Sequence, residues 1–267
     1  MATSDIGNRI KDSVSGLVKD TVAETLRGTG DMTKETTATV TAAITGALQA
    51  VGDVGGSLVD VIKGTITGVL EGVGEITAVS TDVVSNAMRS AIKATQDIGG
   101  DLTEAVSGTA QAAVAASKNV AIDLEETAFS VGRGAIAGAK EVGGDVTAAA
   151  RDTVKGVIKG ARDINADMVS SAIESTAHGL VKGAGEVGMD IAAATRGAVI
   201  GAIQTAREIG TSAEDAATAA ATGAFAGAQA FGQSAVDAVR SVLGGTIEGV
   251  NVGLRDDKKK KPKDEQQ

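Results

Sequence analysis

A chain of 267 residues with net charge −9, no cysteine, one histidine, one proline and three aromatic side chains excludes several classes of protein at once. Disulfide scaffolds, thiolate metal sites and thiol nucleophiles need cysteine, nucleic-acid binding needs a basic footprint, and an ordinary core needs more aromatic area than Phe129, Phe225 and Phe231 supply. With 36 Gly, a single Pro and a mean hydropathy of +0.11, the chain is too apolar for a polar coil and almost free of the residue that stops helices.

Residues 1–20 are a lead-in. Their start, MATSDIGNRIKDS, has neither the basic segment nor the apolar run of a secretory signal. Residues 21–254 are internally repeated, in about ten units of 22 residues. The segment Ala135–Gly156 reads AIAGAKEVGGDVTAAARDTVKG, and segments starting at Ala43, Thr65, Ala91, Ala113, Leu180, Ala202 and Ala224 align to it without internal gaps. A weaker copy starts at Thr21, four residues (Ala87–Ser90) are inserted after the unit from Thr65, and Val157–Gly179 carries one extra. Residues 255–267 form a charged tail holding Lys258, Lys259, Lys260, Lys261 and Lys263, read as solvated. The uncharged stretches Thr36–Gly52 and Ala216–Val236 are rich in Ala, Thr and Gly, so neither reads as a spanning helix. The expectation is a cytoplasmic chain, peripheral on a membrane or granule at most.

The second residue of each unit is bulky and apolar: Ile44, Ile66, Ile92, Val114, Ile136, Ile158, Val181, Ile203 and Phe225. Two residues later the side chain is small: Gly46, Gly68, Ala94, Ala116, Gly138, Gly160, Gly183, Thr205 and Gly227. Between Asp145 and Asp163, Arg151, Asp152, Lys155, Lys159, Arg162 and Asp163 share one helical face, opposite a stripe of Val146, Ala150, Val154, Val157, Ile158 and Ala161. Twenty-two residues are two elevens, so the stripe runs almost straight along an ideal helix.

Near the middle of each unit a short motif carries cap chemistry. Gly143-Gly144-Asp145, Asn165-Ala166-Asp167, Gly188-Met189-Asp190, Gly210-Thr211-Ser212 and Gly232-Gln233-Ser234 pair a residue that tolerates a left-handed helix end with an N-cap. Asp53, Asp101 and Asp123 fall in the same register. The prediction is all-α: amphipathic helices of about 19 residues joined by tight Gly-x-Asp/Ser turns, without sheet. Long continuous helices of eleven-residue period are the alternative. They are favoured by Glu141, Asp163, Glu186 and Glu208, which would otherwise sit in last turns where the macrodipole disfavours acid.

No catalytic constellation is evident. His178 is the only histidine and reads as a solvated polar position. There is no phosphate loop, Gly132-Arg133-Gly134 has the wrong spacing for a dinucleotide turn, and no base stands ready to activate a hydroxyl. The chain therefore reads as a non-enzyme with no cofactor, metal or small-molecule substrate. GxxxG pairs (Gly64/Gly68, Gly134/Gly138, Gly156/Gly160, Gly179/Gly183, Gly223/Gly227, Gly245/Gly249) read as close packing between neighbouring repeats.

In period and composition the repeats resemble the 11- and 22-residue helical repeats of exchangeable apolipoproteins, perilipins, synucleins and desiccation-protection proteins of the LEA type. That resemblance implies a coat, in which the helices lie on a lipid or hydrophobic granule surface as granule-coating phasins do. The alternatives are a self-assembling helical scaffold or filament made of further copies of the chain, and a stress-protective chain.

Overall fold

The structure, a computed structural model, describes residues 2–27, 32–50 and 57–254. Among these, eleven α-helices follow one another: α1 Ala2–Arg27, α2 Met32–Gln49, α3 Leu58–Ile76, α4 Thr81–Asp97, α5 Leu102–Ser117, α6 Leu124–Glu141, α7 Val146–Ile164, α8 Val169–Val187, α9 Ile191–Ile209, α10 Ala213–Gln229 and α11 Gln233–Leu243. The chain is all-α and repeated, and it reverses after each unit rather than running on as one helix. At several of the described junctions cap chemistry explains why. Gly188 and Gly210 take φ of 70° and 74° at the ends of α8 and α9, where a side chain would collide with the following carbonyl. The next amide then reaches back to close the last turn, Met189 N–H to Ala184 O and Thr211 N–H to Ala206 O, both at 2.8 Å.

Entry to the next helix is held by the acidic or hydroxyl side chain. Asp101 accepts from the amides of Thr103 and Glu104 at 2.8 and 3.2 Å, and Asp123 from Glu125 and Glu126 at 2.7 and 3.3 Å. Asp145 accepts from Ala148 at 2.6 Å, Asp190 from Ala192 and Ala193 at 2.8 and 3.1 Å, and Ser212 from Asp215 at 3.1 Å. Asp53 lies outside the described residues. Two positions differ from the cap expectation. The extra residue of the Val157–Gly179 unit is absorbed by a 3₁₀ turn, Ala166–Met168, so Asn165 does the capping and Asp167 lies inside the turn. Ser234 sits in the first turn of α11, behind Gly232 at the cap position.

From α1 to α10, helices pack most closely on the helix two places along the chain. Odd-numbered helices form one layer and even-numbered helices the other, so the structural repeat is a pair of 22-residue units. Directions follow from the contacts: Gly64, Gly68 and Gly72 of α3 face Lys11, Ser15 and Lys19 of α1 in rising order, so helices within a layer are parallel. The core lies between the layers, where eight of the nine repeated bulky residues, Ile44 to Ile203, are at most 1% exposed. The ninth, Phe225, is half-buried under the Arg240 guanidinium, 5.4 Å from its ring centre.

The chain does contain a strand pair. Thr246–Ile247 (β1) and Val250–Asn251 (β2) form an antiparallel hairpin. Its turn residues Glu248 and Gly249 both have positive φ, 51° and 76°, the primed geometry that matches strand twist. Gly245 and Gly249 therefore belong to this hairpin and not to a helical GxxxG face.

Candidate interaction surfaces

Helices inside the array divide their circumference among three duties, and one of them keeps its side chains at the surface. The bulky stripe faces the other layer. The small-residue face meets the helix two places earlier, and there the absent Cβ is a packing requirement. A Cβ on Gly160 would lie 2.7 Å from Gln111 O and 2.9 Å from Val114 Cβ, and one on Gly227 would lie 2.8 Å from His178 O. Gly134, Gly156, Gly179, Gly197 and Gly223 are tighter still, against the backbone of Ser85, Ser107, Phe129, Thr147 and Glu174. The GxxxG faces thus bring parallel helices of one layer together, two units apart in sequence.

The third face is polar and carries a ladder across each layer. Arg89 meets Glu141 at 3.5 Å, Arg133 meets Glu186 at 2.8 Å and Lys155 meets Glu208 at 3.5 Å. The Gln111 amide donates to Asp163 at 3.0 Å and that of Asn119 to Glu71 at 2.9 Å. Glu141, Asp163, Glu186 and Glu208 are therefore last-turn acids, each answered by a donor of the helix two before it. This pairing offsets the unfavourable macrodipole and removes the reason for preferring one continuous helix. At the start of the ladder Lys19 and Glu75 lie 2.7 Å apart. Their hydrogen bond and mutual charge raise the pKa of the lysine and lower that of the glutamate. Exposed, solvent-screened pairs of this kind add little to stability, so the ladder sets register more than stability.

Asp152 departs from the polar-face expectation. It is 3% exposed and belongs to the small-residue face, where Gly108 and Gly197 stand in α5 and α9. A buried carboxylate needs a partner, and Arg151 supplies one through Nε and Nη2 at 2.9 and 3.1 Å. The hydrogen bond to this carboxylate raises the arginine pKa. His178 also differs from the solvated position expected of it. It is half-buried on α8, edge-on to Phe129 with ring centres 5.0 Å apart, and the Lys182 ammonium lies 5.5 Å over the same phenyl ring. Burial first, and the lysine charge second, lower its pKa.

Among the concavities not foreseen from sequence, two are lined mainly by apolar atoms and small side chains. Beside the 3₁₀ turn a crevice of about 210 Å³ is lined by Val169, Ile173, Ile209 and Ala216, with Arg162 and Asp215 among its polar residues. A groove of about 430 Å³ between α1 and α2 is lined by Thr21, Val22, Thr25, Ala38, Thr39, Ala42 and Ala43. Among the described residues no group of three His, Cys, Asp or Glu side chains is arranged to hold a metal ion, and no helix is long and apolar enough to cross a membrane.

No protein-family model matches the chain, and no curated protein does. Among solved structures it is similar to a de novo designed helical repeat protein, at 21% identity over 64% of this chain and 97% of that one, with a TM-score of 0.37. The two-layer repeat architecture described above rests on the packing itself.

Proposed function

We propose that this protein is a non-catalytic structural scaffold: a helical repeat array that works through its outer faces and ends. The observation that carries this reading is the burial of Ile44, Ile66, Ile92, Val114, Ile136, Ile158, Val181 and Ile203 between the two layers. Near-equivalent helices with one apolar face each must bury those faces somewhere. Here the chain buries them against itself, and the ladder of paired acids, bases and amides lies outside. A lipid or granule coat requires the opposite arrangement, with the layers opened and the stripe turned outward.

Circular dichroism with and without vesicles, followed by flotation, tests this. The scaffold is expected to be strongly helical in buffer, to keep the same ellipticity when neutral or anionic vesicles are added, and to stay at the bottom of the gradient. Low helicity in buffer that rises with lipid, with the protein floating, would overturn the scaffold in favour of the coat.

A further inference from the structure

One seam of the even-numbered layer departs from the others. Where α6 meets α4, α8 meets α6 and α10 meets α8, a glycine pair makes the contact: Gly134/Gly138, Gly179/Gly183 and Gly223/Gly227, each seated against the earlier helix. Where α4 meets α2 the contact positions, also four residues apart, hold Asn86 and Ser90. Ser90 closes the four-residue insertion Ala87–Ser90 that interrupts the repeat. The Asn86 amide donates to Thr37 Oγ1 at 3.4 Å, and the hydroxyls of Ser90 and Thr41 lie 3.0 Å apart. Two side chains thus stand between these helices in place of bare backbone, and helix spacing follows the side chains at the contact.

Along this seam lies a cleft of about 630 Å³, a size within the range of small-molecule sites. Its lining is polar and balanced in charge. Thr41, Thr45 and Ser90 bring hydroxyls, Arg89 and Lys93 bring cations, and Asp97 and Glu141 bring carboxylates. The charged groups keep most of their hydrogen-bonding capacity. Arg89 and Glu141 stand 3.5 Å apart, in contact but beyond an ordinary hydrogen bond. Lys93 and Asp97 enter none of the ion pairs formed among the described residues.

Going beyond the scaffold reading, we infer that this cleft binds a small uncharged polyol, a monosaccharide or its reduced form. Charge balance selects the class. Arg89, Lys93 and Asp97 follow one another at four-residue spacing on α4, so they are neighbours on one helix face. A ligand of net charge therefore meets a like charge beside each opposite one. A hydroxyl both donates and accepts. One polyol serves the guanidinium and ammonium as acceptor, the carboxylates as donor and the threonines as either. Its adjacent hydroxyls also reproduce the hydrogen bonds of the water it displaces, which a charged or apolar ligand of the same size does not.

Saturation-transfer NMR titrations of the full chain with glucose, mannitol and myo-inositol test this. At least one is expected to saturate with a dissociation constant of about 1 mM, the affinity that ordinary ligand efficiency gives a dozen heavy atoms. Asn86→Gly with Ser90→Gly restores the glycine pair of the neighbouring seams, lets α4 close on α2, and should weaken binding at least about 10-fold. Lys93→Met and Thr45→Val, which leave the seam alone, should each weaken it about 5-fold or more with unchanged far-UV ellipticity. These two variants carry the test if the double glycine variant loses helix. Three polyols that fail to saturate on a helical chain, or variants that bind as the parent does, would overturn the site and leave the scaffold standing. Glucose 6-phosphate or glucosamine binding about 10-fold tighter than glucose would overturn the uncharged class. A chain unfolded in buffer would remove scaffold and site together.

Discussion

Glycine-to-alanine substitutions in helix interiors offer the sharpest check on the packing, because their sign depends on which face the glycine occupies. Alanine is favoured over glycine by about 1 kcal/mol in a helix. Gly108 of α5 lies on the small-residue face, yet a Cβ there would sit 3.5 Å from Val59 Cγ1 and 3.8 Å from Ile62 Cγ2, ordinary contact distances. Gly108→Ala should therefore stabilise by about 1 kcal/mol. Gly160 of α7 lies on the equivalent face against α5, but its Cβ would stand 2.7 Å from Gln111 O and 2.9 and 3.0 Å from Val114 Cβ and Cγ1. Relief requires the two helices to part by roughly 0.7 Å, a gap that forfeits a quarter to a half of each dispersion contact across the seam. With about 25 atom pairs at about 0.15 kcal/mol each, that loss is about 1–2 kcal/mol, within the range for overpacking. Forced tilt of the flanking contacts adds to it, so Gly160→Ala should be net destabilising by about 1 kcal/mol after the helix gain. The two variants should differ by about 2 kcal/mol, read as opposite shifts of the urea midpoint at constant slope, with ellipticity at 222 nm as the signal. If Gly160→Ala raises the midpoint as much as Gly108→Ala does, the helices are not seated backbone-to-backbone and the parallel in-layer packing is wrong.

Caps supply a second contrast. Asp190→Ala removes both bonds to the first turn of α9 and should lower stability by about 1 kcal/mol in the same urea assay. Asp167→Ala, inside the 3₁₀ turn capped by Asn165, should move the midpoint by less than about 0.5 kcal/mol. The third contrast concerns pH. The His178 pKa is lowered in the folded chain, so the unfolded chain binds the proton more tightly and protonation favours unfolding. Stability is full above the ordinary histidine pKa of about 6.5 and is lost as pH falls from there through the folded value. His178→Gln should abolish that decline between about pH 7 and 5, as measured by thermal midpoints in a pH series. An unchanged decline would place its origin in the carboxylates.

What the sequence by itself determined is the local chemistry of this protein. A 22-residue period, a bulky stripe, and Gly or Asn followed by Asp or Ser are enough to set helix length and most helix ends. They suffice because caps and turns are satisfied within a few residues of themselves. Even the hairpin at Thr246–Asn251 leaves a trace in Glu248-Gly249 flanked by β-branched residues, within a segment that the repeat period also spans. The tertiary structure alone decided what each face meets. An amphipathic period says that a face must leave water, but it is silent on whether lipid, another chain or a second layer receives it. The glycines face not the next helix but the one two units back, a pairing that no local pattern encodes. The same long-range pairing answers Glu141, Asp163, Glu186 and Glu208 with donors 52–53 residues earlier, and makes a continuous-helix signal into a ladder. It also buries Asp152 on a face that periodicity had assigned to solvent, because the wheel of one helix cannot show that a neighbour in its own layer covers a second side.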